Sequence, residues 1–160
     1  MADITATKFQ SKGSEGSSKV KERVFAFDLD ADGIGAAATH NLVNIPEGEA
    51  FLDAQVIWTE LPVTGTSVQI LATSSGTDMT FTGALATANC TIGSVIELRS
   101  NLANTETGAN MGDLYHDGTV VTSLTLDITC IGTTFTAGQF TIVMRTLDLN
   151  DYSGDIGQVA

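Results

Sequence analysis

The chain has 160 residues, 42% hydrophobic and 16% charged, with 19 acidic residues against 7 Lys and Arg and a net charge of −12. A chain of this length folds as one domain and buries roughly 70% of its unfolded surface, so its core requires neither disulfide nor metal. The acidic balance argues against nucleic acid as a partner, no run approaches the ~18 apolar residues of a membrane span, and Met1 to Ala6 carries no signal-peptide pattern. Synthesis and folding in a cytoplasm are therefore expected.

The low charge content is made up by Thr, Ser, Gly and Asn. Thr favours strands, and Gly and Asn favour turns, which points to an all-β protein. The charges are also unevenly placed. Lys8, Lys12, Lys19, Lys21 and Arg23 supply five of the seven bases, and with three acids they leave the first 23 residues at +2. The remainder carries sixteen acids against Arg99 and Arg145, which is −14.

Residues 1–19 read as a flexible basic arm. Ser11 to Ser18 has a Gly/Ser linker composition that buries too little apolar surface to order itself. Ile4 and Phe9 are its bulky apolar residues and read as anchors for a partner, beside Lys8, Lys12, Lys19, Lys21 and Arg23. A frayed terminus is the competing reading.

Period-two alternation begins at Val20 and defines a domain over 20–149. Phe25, Phe27 and Leu29 share one face of a first strand. Residues 37–45 form a second, ending at Ile45-Pro46. From Glu49 to Glu60, Ala50, Leu52, Ala54, Val56 and Trp58 alternate with mostly polar residues, and Leu61-Pro62 is expected to end that strand. Val68, Ile70 and Ala72 mark the next, then Met79 and Phe81. Cys90, Ile92, Ile96 and Leu98 are assigned to one face of a further strand, with Gly93 as a bulge. Residues 99–114 lack any period and read as a long loop. Asp117-Gly118 signals a hairpin turn. Val120, Leu124, Leu126, Ile128 and Cys130 are then placed along a long strand, and Phe140, Ile142 and Met144 on the last. Residues 150–160 form an acidic tail. About eight strands without an amphipathic helix predict one antiparallel β-sandwich, with the jelly roll as its leading form.

The chemistry-bearing motifs are few. Asp28-Leu29-Asp30-Ala31-Asp32-Gly33 matches the start of a calcium loop, but Thr39 stands where an EF-hand needs a bidentate Glu, and the flank reads as strand. Asp28, Asp30 and Asp32 are thus a weak calcium candidate against an acidic turn. Asp113, His116 and Asp117 are the other grouping of metal-ligand types, with Asp117 already explained by turn chemistry. Cys90 and Cys130 read as small core side chains, a disulfide formed after release into an oxidising medium being the alternative. No nucleophile elbow, phosphate loop or nucleotide fingerprint is present, so neither enzyme activity nor a cofactor is expected. Trp58 alternates in phase with Val56 and reads as core.

The layout from Asn44 to Leu149 resembles a known family. Asn44-Ile45-Pro46-Glu47-Gly48 leads into a long strand and a turn at Thr64-Gly65-Thr66. Ser74-Ser75-Gly76-Thr77-Asp78 follows the next strand. Asp117-Gly118-Thr119-Val120-Val121 precedes a Thr-rich strand, and Thr136 to Met144 closes the pattern. This resembles the decoration (cement) or minor head proteins of tailed bacteriophages. The resemblance implies a virion protein that binds the outside of a capsid, usually as a homotrimer, and bridges subunits of the major capsid protein. It implies no catalysis, no cofactor and neither nucleic acid nor membrane as partner. A fibre or tail-tip sandwich that binds a receptor or glycan is the alternative. A hydrolase built on a jelly roll and a head–tail connector fit the sequence less well.

Overall fold

The computed structural model describes residues 20–81, 84–99 and 114–149. Nine strands follow in chain order: β1 Val20–Asp28, β2 Thr39–Asn44, β3 Glu49–Val63, β4 Ser67–Ser74, β5 Thr77–Thr80, β6 Leu85–Ala86, β7 Val95–Arg99, β8 Leu124–Ile131 and β9 Ala137–Asp148. The chain is all-β, as its composition predicts, with a 3-10 turn at Thr87–Asn89.

The strands form two antiparallel sheets. One has the order β1-β9-β3-β7, and the other β2-β8-β4-β5 with β6 added to β4. The pairs β1·β9, β2·β8, β3·β7 and β4·β5 are nested one inside the next along the chain. A long ribbon with that nesting, rolled on itself into two layers, is a jelly roll. Rolling also creates the contacts β3·β9 and β4·β8, which join neighbouring pairs within each sheet.

The core lies between the sheets and comes from inward positions of both. Trp58, Phe140, Ile142 and Met144 on one side face Val68, Ile70, Leu126 and Ile128 on the other, all fully buried. Each large apolar side chain so buried contributes about 1.5–3 kcal/mol. Phe140 stacks on Phe27 at 5.4 Å and meets Trp58 edge-on at 5.3 Å, so one aromatic column ties β1, β9 and β3 together.

Several expectations need correction. Alternation in β3 is not continuous. Glu49 and Phe51 point inward, as do Ala54, Val56 and Trp58, while Ala50 and Leu52 are half-buried. A register shift between Phe51 and Asp53 against β9 reverses the phase, as a β-bulge does. The strand also runs past Leu61-Pro62 to Val63, with further register shifts around Glu60 that accommodate the proline. Cys90 and Ile92 precede β7 in a 3-10 turn and a tight turn, and Ile92 is 65% exposed. Gly93, at φ +78°, belongs to that turn. Asp117-Gly118 does turn the chain, but β8 starts only at Leu124, and Val120 is 78% exposed. Most of the long loop expected at 99–114 lies outside the described residues.

One end of the sandwich is plugged by Phe135, fully buried in the β8–β9 connection. Its backbone N–H donates to the Gly35 carbonyl at 3.0 Å, and its ring covers Gly65 so closely that a Cβ there would overlap it. Gly65→Ala is expected to destabilise the fold by about 1–3 kcal/mol through overpacking, read as a lower urea midpoint with an unchanged m-value.

A charged interaction face and the ion cluster behind it

The phase reversal in β3 carries Glu49 to the inner side, where it is 2% exposed. A buried carboxylate requires compensation. Arg23 Nη1 donates to Glu49 Oε2 at 2.7 Å and Nη2 to Oε1 at 2.8 Å, a bidentate fork. Thr146 Oγ1 accepts from Arg23 Nη1 at 3.0 Å and donates to Glu49 Oε2 at 2.6 Å. Lys21 Nζ lies 3.1 Å from Glu49 Oε1 and 2.8 Å from Asp148 Oδ2. Strand register makes this possible: Lys21 is opposite Thr146, and Asp148 is opposite Glu49. The cluster thus joins β1, β9 and β3 at the edge of the core. The Arg23 fork, opposed by burial and helped by Thr146 and Lys21, holds the Glu49 carboxyl down at about 2. Asp148 and then Glu49 hold the Lys21 ammonium above its ordinary range.

On the opposite, outward side of the same sheet, register builds a second pattern. Glu22 is opposite Arg145, Arg145 opposite Asp53, and Asp53 opposite Arg99. One row across four strands therefore alternates negative, positive, negative, positive. Arg145 forks onto Asp53, its Nε donating to Oδ1 at 2.9 Å and its Nη2 to Oδ2. That pairing, with a smaller contribution from Glu22, raises the Arg145 guanidinium further. Arg99 Nη2 lies 2.6 Å from Glu97 Oε2. The next row holds Val24, Val143, Gln55 and Glu97, and the one after it Ala26, Thr141, Ile57 and Val95. Val24 is 63% exposed and Val95 51%. A shallow groove of about 550 Å³ runs over the charged row between Glu22, Gln55 and Arg99.

A chain of the cyanophage Pam1 capsid asymmetric unit is similar in structure, with a TM-score of 0.50 and 14% identity over 80% of this chain and 84% of that one. The two share a fold. A chain of the infectious bursal disease virus VP2 subviral particle aligns with a TM-score of 0.22 and 14% identity, over 87% of this chain and 48% of that one, a likeness too slight to carry an argument. No protein-family model and no curated protein matches the sequence.

The sequence-predicted residues are distributed as follows. Ile4, Lys8, Phe9, Lys12 and Lys19 lie outside the described residues. Lys21 and Arg23, expected to reach a partner, are engaged by Glu49 and Asp148 of their own chain. In the calcium-like segment, Asp28 Oδ1 accepts the N–H groups of Asp30 and Ala31, its Oδ2 accepts from Gln139 Nε2, and Asp32 Oδ2 accepts the N–H of Asp28. These bonds lower the Asp28 carboxyl, the Ala31 N–H first and Gln139 next, and they make the segment a self-closed acidic turn. Asp113 is outside the described residues. His116 Nδ1 donates to the Ile45 carbonyl at 2.7 Å, and Asp117 Oδ1 accepts three successive N–H groups from Thr119 to Val121. Among the described residues no three His, Cys, Asp or Glu side chains are grouped to hold a metal. Cys130 is buried, which pushes its thiol up to about 11, and both cysteines are free.

Sequence reasoning missed Glu49 and the outward charged row. The only available signal was that Arg99 and Arg145, the two bases of the acidic body, both sit on strands at outward positions.

Because its folded value of about 2 lies below the ordinary 4.5, Glu49 contributes stability that is complete above the higher value and lost as pH falls through the lower one. Glu49→Gln is expected to cost about 1–3 kcal/mol near neutrality, since Arg23 and Lys21 are partly exposed and rehydrate. Urea midpoints of wild type and variant should converge as pH drops from about 5 toward 2.

Proposed function

We propose that this chain is a non-enzymatic structural protein of a bacteriophage virion, bound to the outside of the capsid and stabilising it by bridging subunits of the major capsid protein. The observation that carries this reading is the nested jelly roll, which matches a chain of a cyanophage capsid over 84% of that chain's length. Fold likeness alone assigns no role, so the chain's own chemistry must supply the contact.

That chemistry lies in the charge split. Lys21 and Arg23 serve the interior of the domain, which leaves Lys8, Lys12 and Lys19, with Ile4 and Phe9, as the groups of the first 19 residues available to a neighbour. A basic, Gly/Ser-rich arm that orders on docking wraps a large surface at modest affinity per unit area. Repetition over a shell multiplies each weak contact through avidity. The sandwich sets orientation and the arm staples adjacent subunits.

Two measurements test this. Quantitative mass spectrometry of purified particles should find the chain in fixed proportion to the major capsid protein. Protein lacking residues 1–19 should show at least tenfold lower shell occupancy, and shells carrying it should rupture at a lower temperature. Absence from particles sinks the capsid role; unchanged occupancy and rupture temperature sink the arm's part in it.

A further inference from the structure

We propose that the outward face of the β1-β9-β3-β7 sheet is a self-complementary surface, on which a second copy of this chain seats about a two-fold axis running along the strands between β9 and β3. This inference stands on the isolated protein and does not depend on the capsid reading.

A body at −14 repels copies of itself. The outward side of the β2-β8-β4-β5 sheet presents Asp78, with Asp127 buried beneath Thr73 and Thr125, and those four strands contain neither Lys nor Arg. The row Glu22, Arg145, Asp53, Arg99 is different, because its four charges sum to zero. It holds both bases that the chain has after residue 23, and it borders the exposed Val24 on β1 and Glu97 on β7. Along this row a second copy can therefore meet both signs of charge, with Val24 as exposed apolar area beside it.

Symmetry then selects the geometry. A closed pair of identical chains meets through a two-fold axis, each patch facing itself. Two in-plane axes are available. An axis along the row would set Glu22 against Glu22 and Arg145 against Arg145, which repels throughout. An axis along the strands reverses the row, so that Glu22 faces the second copy's Arg99 and Arg145 faces its Asp53. Each charge of the row then meets its opposite. The same operation sets Val24 against the second copy's Glu97, Val143 against its Gln55, Ala26 against its Val95, and Thr141 against its Ile57.

Size sets the strength. Three strands paired over about nine residues and the five residues of β7, spaced ~4.8 Å, give a face of ~500 Å² per copy. A pair would bury ~1,000 Å², below the range of stable specific interfaces. The expected association is weak and concentration-dependent.

Glu22 and Arg99 lie on the two outer strands of the sheet, exposed, so reversing either leaves the core intact. Wild-type protein should dimerise in sedimentation equilibrium at tens to hundreds of micromolar. Glu22→Lys alone and Arg99→Glu alone should each weaken the dimer about tenfold or more, with unchanged circular dichroism and thermal midpoint. Mixed in equal amounts, the two variants should recover a heterodimer, because one half of the contact then pairs the new Lys at 22 with the new Glu at 99 and the other half keeps an unchanged Arg99 against an unchanged Glu22. Wild type remaining monomeric at those concentrations, an oligomer that neither reversal weakens, or a mixture that stays monomeric would each overturn the proposal.

Discussion

One extra residue in β3 governs much of this domain. Without the register shift between Phe51 and Asp53, a strand that buries Ala54, Val56 and Trp58 would expose Glu49 and Phe51. With it, both turn inward, and the carboxylate has to be met by groups already inside. Arg23 from β1 and Thr146 from β9 meet it. The bulge therefore creates the requirement that the ion cluster satisfies, and the cluster ties the edge strand β1 to the centre of its sheet. An edge strand held only by a ladder and two half-buried phenylalanines would be weakly anchored. Here a bidentate ion pair is added at its first turn of register.

The two sides of the same sheet use charge in opposite ways. Inside, the carboxylate is enclosed and fully bonded, so its effect is stability. Outside, Arg145 and Asp53 are paired but partly solvated, and such pairs contribute little to folding. What the outward row retains is pattern: a sequence of signs fixed by backbone register to the width of one strand per step. Patterned charge contributes more to orientation and to discrimination between partners than to raw affinity.

The fold was largely legible because strands announce themselves by alternation. Phe140-Ile142-Met144 and Leu124-Leu126-Ile128 alternate onto the faces that are buried, and well-spaced strands without a helix point to the jelly roll. The failures share a physical cause. In β3, Ala50 and Leu52 continue the apolar phase of Ala54 and Val56, so nothing local marks the reversal. The phase is decided by Arg23 and Thr146, which approach only after the ribbon rolls. Cys90 and Ile92 copy the spacing of Ile96 and Leu98, yet the tight turn at Gly93 separates them from the strand. Asp117 showed its turn chemistry, but how far the loop continues before β8 depends on contacts across the sandwich. Cross-strand rows such as Glu22-Arg145-Asp53-Arg99 combine four distant segments, and a single sequence carries no record of their alignment.

The nesting of the ribbon has a consequence for what flanks it. Val20 and Leu147 are cross-strand partners, so their Cα atoms stand about 5 Å apart. The domain thus begins and ends at one point, where a basic segment with Lys8, Lys12 and Lys19 and an acidic one with Asp151 and Asp155 are both tethered. Whatever is joined to the domain at either end is therefore carried at the same edge of the sheet, beside the Lys21–Asp148 ion pair.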